Sequence, residues 1–185
     1  MSTRDLGFVA LFAALIVALG ILPALPIAGL PVPITLQSLG VMLAGLILGP
    51  KRGTAAVAVV IALVGIGLPV LAGGRGGLGV FFGPTAGFLF GWLLTAWVAG
   101  SVAMRLDREG REPGVRLAGL IGGAILGGIV VLYACGIAWL TLYTKIPFNK
   151  AFVGSMMFVP GDVAKALVAT FVTVQVRRAF ALERK

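Results

Sequence analysis

Residues 105–116 read RLDREGREPGVR, four arginines and three acids set between two long apolar runs. So polar a segment cannot lie in hydrocarbon. The runs on either side, about Thr85 to Leu106 and Leu117 to Tyr143, have the length of membrane-spanning helices rather than strands. Taken as a loop outside a membrane, the segment makes its neighbours two transmembrane helices, and the same reading extends along the chain in both directions. Further spans cover about Leu6 to Leu25, Thr35 to Leu48, Gly53 to Leu71 and Gly161 to Phe180, which makes six. The second is short of the roughly 20 residues that cross a bilayer, so it is expected to continue from a loop buried in protein.

Composition agrees. The 185 residues are 59% hydrophobic and 11% charged, with a mean hydropathy of +1.10, whereas a soluble domain carries about 25% charged residues. No polar block is large enough to fold separately in water, so residues 1–185 are expected to form one all-α, six-helix transmembrane domain. Arg4, PKRG (50–53), residues 105–116 and the tail RRAFALERK (177–185) hold eleven of the fifteen lysines and arginines. Only Arg75, Lys145, Lys150 and Lys165 fall to the other side. The positive-inside rule then puts both termini in the cytoplasm, which an even number of spans satisfies. The net charge of +9 is therefore a topology signal rather than a footprint for nucleic acid, and lipid is the expected surrounding partner. The first apolar run leads into GILPALPIAGLPVP (20–33) without a small-residue cleavage site, so it is expected to be a retained helix and not a signal peptide.

Several chemistries are closed to such a chain. Histidine is absent and Cys135 is the one cysteine, which removes internal disulfides, the usual His and Cys metal sites, and Ser–His or Cys–His nucleophiles. No Gly-x-x-x-x-Gly-Lys-Ser/Thr sequence occurs, so ATP, if it drives the protein, is bound by another subunit.

The connectors of the less basic side are uncharged or rich in Gly and Pro. They are PIAGLPVPITLQ (26–37), PVLAGGRGGLGVFFGPTAG (69–87) and TKIPFNKAFVGSMMFVPGD (144–162), the last long enough for a short helix. Such segments at membrane depth pack on protein or line a cavity, which suggests a pocket opening outward beneath them. In FVPGDVAKALVA (158–169), Asp162 falls in the first turn of the sixth helix with Lys165 on the same face. One reading is a capping acid with a local partner. The other is a ligand pair, since an ionisable group in a span costs about 2.5–3.5 kcal/mol on insertion scales and marks function. Thr35 and Gln37 either cap the second helix or face the pocket. Arg75 is either a solvated loop cation or the partner of a ligand carboxylate, and Asn149 and Lys150 read as solvated. Trp92, Trp97, Trp139, Tyr133 and Tyr143 suit interface belts or packing, with Tyr133 and Trp139 also able to flank a pocket. Ala10, Ala14 and Ala18 form a small-residue stripe, suited to internal packing or to a partner in the membrane.

PVPITLQSLGVMLAGLILGPKRG, GLPVLAGGRGGLGVFFGPTAGFLFG and PGDVAKA together resemble the BioY family, the biotin-specific substrate-binding (S) components of energy-coupling-factor (ECF) transporters. The resemblance covers nearly the whole chain. It implies a six-helix S-component fold in a bacterial cell membrane, high-affinity biotin capture and no enzymatic activity or cofactor. It also implies association with a transmembrane T component and two ATPase subunits, although some members work alone. The family's Gly-Asp-x-x-Lys pattern falls on Asp162 and Lys165 as ligand contacts. Its Gly-rich motif falls on Gly73, Gly74, Gly76, Gly77 and Gly79, followed by Gly83, Pro84 and Thr85. Thr35 and Gln37 fall in the loop expected to close over the site, and Ala10, Ala14 and Ala18 match the stripe that meets the T component. A solitary biotin transporter, an intramembrane enzyme with Asp162 as base, and a purely structural subunit are the alternatives.

Overall fold

The computed structural model describes residues 1–27, 30–106 and 112–180. Arg108, Arg111, Arg184 and Lys185 of the basic count lie outside them.

Helix α1 (Thr3–Ile21) starts from a capping box in which Ser2 Oγ accepts the Asp5 N–H at 3.2 Å and Asp5 Oδ2 accepts the Ser2 N–H at 2.9 Å. It ends at Ile21 rather than near Leu25, just ahead of Pro23 and Pro26, which cannot donate to a continuing helix. The expected Pro-rich connector is in fact a ribbon, β1 (Leu25–Ile27) paired antiparallel with β2 (Leu30–Ile34). A two-stranded ribbon has outer edges where Pro26, Pro31 and Pro33 need no amide hydrogen.

Helix α2 (Gln37–Gly65) is long on paper but reverses inside. Gly49 sits at φ 82°, ψ 177°, a backbone state open to glycine, and Pro50 follows with the φ that opens a new helix. Two observations show that the limbs, 37–48 and 50–65, lie side by side. The Gln37 side chain reaches the Val70 carbonyl at 3.1 Å, and a Cβ placed on Gly53 would sit 2.6 Å from the Ala44 carbonyl oxygen. A straight helix would separate residues 44 and 53 by about 13 Å. The first limb rises only about 18 Å, and the ribbon leads directly into it, as expected for a short span entered from a packed loop. The second limb closes at Gly65 rather than Leu71 in a Schellman motif, Leu68 N–H to Leu63 O and Gly67 N–H to Val64 O, both 3.0 Å.

A 3₁₀ turn (Leu78–Phe82) precedes α3 (Ala86–Leu106). The next span is α4 (Pro113–Ile125), a π-helical stretch (Leu126–Val131) and α5 (Leu132–Leu142), one after another without a break. Within the π stretch, where the helical register shifts, the Gly127 carbonyl accepts the Thr95 hydroxyl of α3 at 2.9 Å. A short α6 (Phe148–Met156) then leads to α7 (Val159–Phe180). Among the described residues, five helices are long and apolar enough to cross a membrane, and α2 is one of them. Its two limbs bring the passes to the six expected.

The reversal end gathers the basic groups. Asp5 pairs with Arg52 at 2.9 Å, Arg177 donates to the Leu46 carbonyl at 2.8 Å, and Met104 packs on Gly49. Arg75 and the turn that carries it, the ribbon and α6 occupy the other end. Small residues let the helices meet by their backbones: Gly45 lies on the Ala96 backbone, and Gly100 faces Pro50 N and the Gly45 carbonyl, with Ala96, Ala99 and Ala103 fully buried alongside.

A side chain at position 100 would enter backbone on both limbs of α2, 2.6 Å from Pro50 N and 2.7 Å from Gly45 O. Gly100→Val is expected to destabilise the fold by about 2–3 kcal/mol, read as a lower melting temperature of the detergent-purified protein, while Gly122→Ala, where a Cβ meets nothing within 4 Å, leaves it unchanged.

Candidate functional site

At the ribbon end, the N-terminal turns of α2, α3 and α7 converge beside α5 on a cavity with an empty volume of about 630 Å³, counted to its open mouth.

One turn of α7 supplies two of the cavity's charged groups. Asp162 and Lys165 are 4% and 7% exposed, and Lys165 Nζ lies 2.7 Å from Asp162 Oδ1. Nζ also donates to the Thr35 carbonyl at 2.7 Å and to Ser38 Oγ at 3.1 Å, so all three ammonium hydrogens have acceptors. The Tyr133 hydroxyl donates to Asp162 Oδ2 at 2.7 Å. The carboxylate therefore bonds side chains from two elements rather than capping the amides of its own helix.

Much of the rest of the wall is apolar. Phe88, Leu89 and Trp92 come from α3, Leu132 from α5, Val32 from β2, and Phe158 from just before α7. Phe158 meets Tyr133 and Phe88 edge-on, with ring centroids 6.2 and 6.0 Å apart, the favoured arrangement for aromatic pairs.

Arg75 enters the wall from a tight turn. Leu71 and Arg75 exchange backbone hydrogen bonds of 3.0 and 3.1 Å, and between them Gly73 and Gly74 take φ of +78° and +67°, a pair that side-chain-bearing residues rarely adopt. The guanidinium donates through Nε to the Ala72 carbonyl at 3.1 Å and through Nη1 to Thr85 Oγ1 at 3.2 Å. Burial holds its pKa below the ordinary value, yet arginine stays cationic. The turn is anchored from beneath by Gln37, 1% exposed. Its Nε2 donates to Ile16 O at 3.2 Å and Val70 O at 3.1 Å, and its Oε1 accepts the Ala72 N–H at 2.9 Å.

Of the expected ligand residues, Asp162, Lys165, Thr35, Gln37, Arg75, Thr85 and Tyr133 line the cavity. Gln37 does so with both amide hydrogens engaged, as a brace. Gly73, Gly74 and Gly83 are not on the wall. The first two face solvent and shape the Arg75 turn, and Gly83 accepts the Trp139 indole N–H at 3.0 Å. Trp139 is likewise off the wall, stacked on Tyr143 at 4.4 Å. Ala10, Ala14 and Ala18 lie on the exposed face of α1, opposite the buried Ala13, so internal packing does not account for the stripe. The sequence reading missed Ser38, Phe88, Trp92 and Phe158 as wall residues. Phe88 and Trp92 carried a signal, being one helical turn apart on one face of α3.

A protein-family model described as the BioY family matches residues 1–182. The chain belongs to the BioY family. Among BioY relatives, the biotin transporter BioY of Rhizobium etli is 57% identical over 169 residues, 91% of this chain and 90% of that protein. The biotin transporter BioY of Rhodobacter capsulatus is 53% identical over 178 residues, with the same shares covered. The crystal structure of the S-component for biotin from an ECF-type ABC transporter superposes with a TM-score of 0.87 at 34% identity, over 96% of this chain and 95% of that one. The S component of another bacterial ECF transporter, at 16% identity and a TM-score of 0.60, shares the fold.

Removing the Gln37 amide would leave a buried N–H and two buried carbonyls without their partner. Gln37→Leu is expected to cost about 2–3 kcal/mol of stability and to loosen the Arg75 turn. Thermal melting, with hydrogen exchange at the Ala72 amide as the local readout, checks both.

Proposed function

We propose that this protein is the biotin-binding S component of a biotin uptake system, capturing the vitamin at the ribbon end of the bundle. The observation that carries the reading is the buried Asp162–Lys165–Tyr133 cluster beside the aromatic and aliphatic part of the cavity wall. Biotin matches it group by group. Its ureido ring has two N–H donors and one carbonyl, its thioether ring is apolar, and its valerate chain ends in a carboxylate. Asp162 retains lone pairs beyond those taken by Lys165 and Tyr133 and accepts a ureido N–H. Phe88, Trp92 and Phe158 cover the ring. The carboxylate goes to Arg75, because the Lys165 hydrogens are already matched while the guanidinium has N–H groups beyond its bonds to Ala72 and Thr85.

The high identity to proteins named biotin transporters and the superposition on a biotin S-component support this assignment. The basic end faces the cytoplasm by the positive-inside rule, so the cavity opens outward. The exposed Ala10, Ala14 and Ala18 stripe suits close approach of a membrane partner, which we take to be the T component, with ATPase subunits supplying the energy. The chain acts as a binding subunit without cofactor and catalyses no reaction. Asp162 is already ion-paired to Lys165, and the other ionisable side chains on the wall are Tyr133 and Arg75.

Equilibrium binding of labelled biotin to the purified protein tests the assignment. Asp162→Asn and Lys165→Ala are each expected to weaken binding by about 10- to 100-fold, since each removes a charge-assisted hydrogen bond and leaves its partner poorly compensated. Retention of wild-type affinity in both would return the pair to a structural role. Arg75→Ala is expected to weaken biotin by about 10-fold and to leave biotinamide, which lacks the carboxylate charge, unchanged. Equal losses for the two ligands would remove Arg75 from the carboxylate.

A further inference from the structure

We infer that Ser38 is a ligand-contacting, specificity-determining residue, its hydroxyl hydrogen donated to the carbonyl of the ureido ring. This rests on the reading above that the ring lies against Asp162. The inference comes from counting hydrogens in the polar cluster. Lys165 directs its three to Thr35 O, Ser38 Oγ and Asp162 Oδ1, and Tyr133 directs its one to Asp162 Oδ2. None of these is free for a ligand carbonyl, although the ligand brings one to the site.

Ser38 has the missing donor. It is buried, 7% exposed, in the first turn of α2 and on the cavity wall. Its oxygen accepts from Lys165 at 3.1 Å, and among the described residues its own hydrogen has no acceptor. A hydroxyl that accepts from an ammonium is polarised and donates more strongly. Asp162 and Ser38 are bonded to the same nitrogen, so an acceptor and a donor stand side by side. A ureido edge offers an N–H beside a C=O, the complement of that pair. Thr35 is the rival donor, but the residue is half-exposed at the rim and reaches Lys165 through its carbonyl.

The test compares biotin with 2-thiobiotin, whose C=S accepts hydrogen bonds weakly, in equilibrium binding to wild type, Ser38→Ala, Ser38→Cys and Thr35→Val. Ser38→Ala is expected to weaken biotin by about 3- to 10-fold and 2-thiobiotin by less than about 2-fold. Ser38→Cys, with its weak thiol donor, shows the same selectivity, so the result does not depend on one variant folding. Thr35→Val, a substitution on the cavity wall, is expected to change both ligands by the same factor. Equal weakening of the two ligands would mean that Ser38 acts only through Lys165 and would overturn the inference. So would an unchanged biotin affinity in both Ser38 variants, or a biotin-selective loss in Thr35→Val. A wild type that binds no biotin would overturn the functional reading itself, and the Ser38 contact with it.

Discussion

A lysine ammonium and a carboxylate withdrawn from water must have nearly every hydrogen and lone pair matched, because the desolvation of each ion costs several kcal/mol before any pairing offsets it. At Asp162 and Lys165 that requirement organises the whole ribbon end of the bundle. Satisfying Lys165 draws in the Thr35 carbonyl at the foot of the ribbon and the Ser38 hydroxyl at the head of α2. Satisfying Asp162 draws in the Tyr133 hydroxyl from the span built of α4, the π stretch and α5. Elements from four parts of the chain thus meet at one ion pair. The gap left between them is the cavity.

The rest of the bundle makes that convergence possible by keeping helices close, chiefly through small residues. The reversal at Gly49 returns α2 on itself, so that Gln37 at its start can brace the turn carrying Arg75 some thirty residues later. The backbone contacts of Gly45, Gly53 and Gly100 hold the two limbs against each other and against α3. Lipid supplies no hydrophobic drive for helices to associate, so close packing of small residues does that work. The charged site and the glycine-lined seam are therefore parts of one construction, with the first positioned by the second.

Much of this was legible in the residues. The six passes followed from apolar lengths and from the uneven placement of Lys and Arg. The Asp162–Lys165 pair stood out because ionisable groups are rare in spans and these two share a helical face. Local pattern could not show what depends on long-range closure. Tyr133 and Asp162 are 29 residues apart, and Lys165 and Ser38 are 127 apart, so neither bond has a spacing to betray it. Gln37 was legible as a polar residue near a pocket but not as a brace, since its partners lie 21 to 35 residues away. The glycines of the Arg75 turn misled for a related reason. A glycine pair marks a backbone shape, and a ligand contact leaves the same letters in a sequence.

Asp162 and Lys165 occupy one turn of one helix and are bonded to each other, so the start of α7 carries a dipole and no net charge. The work that a transmembrane voltage does on a moving segment is proportional to the charge displaced, about 2.3 kcal/mol per elementary charge per 100 mV. For this turn that product vanishes. Carrying that pair together through the bilayer would neither gain from the membrane potential nor be opposed by it, so its displacement adds no voltage dependence to the protein's conformational cycle.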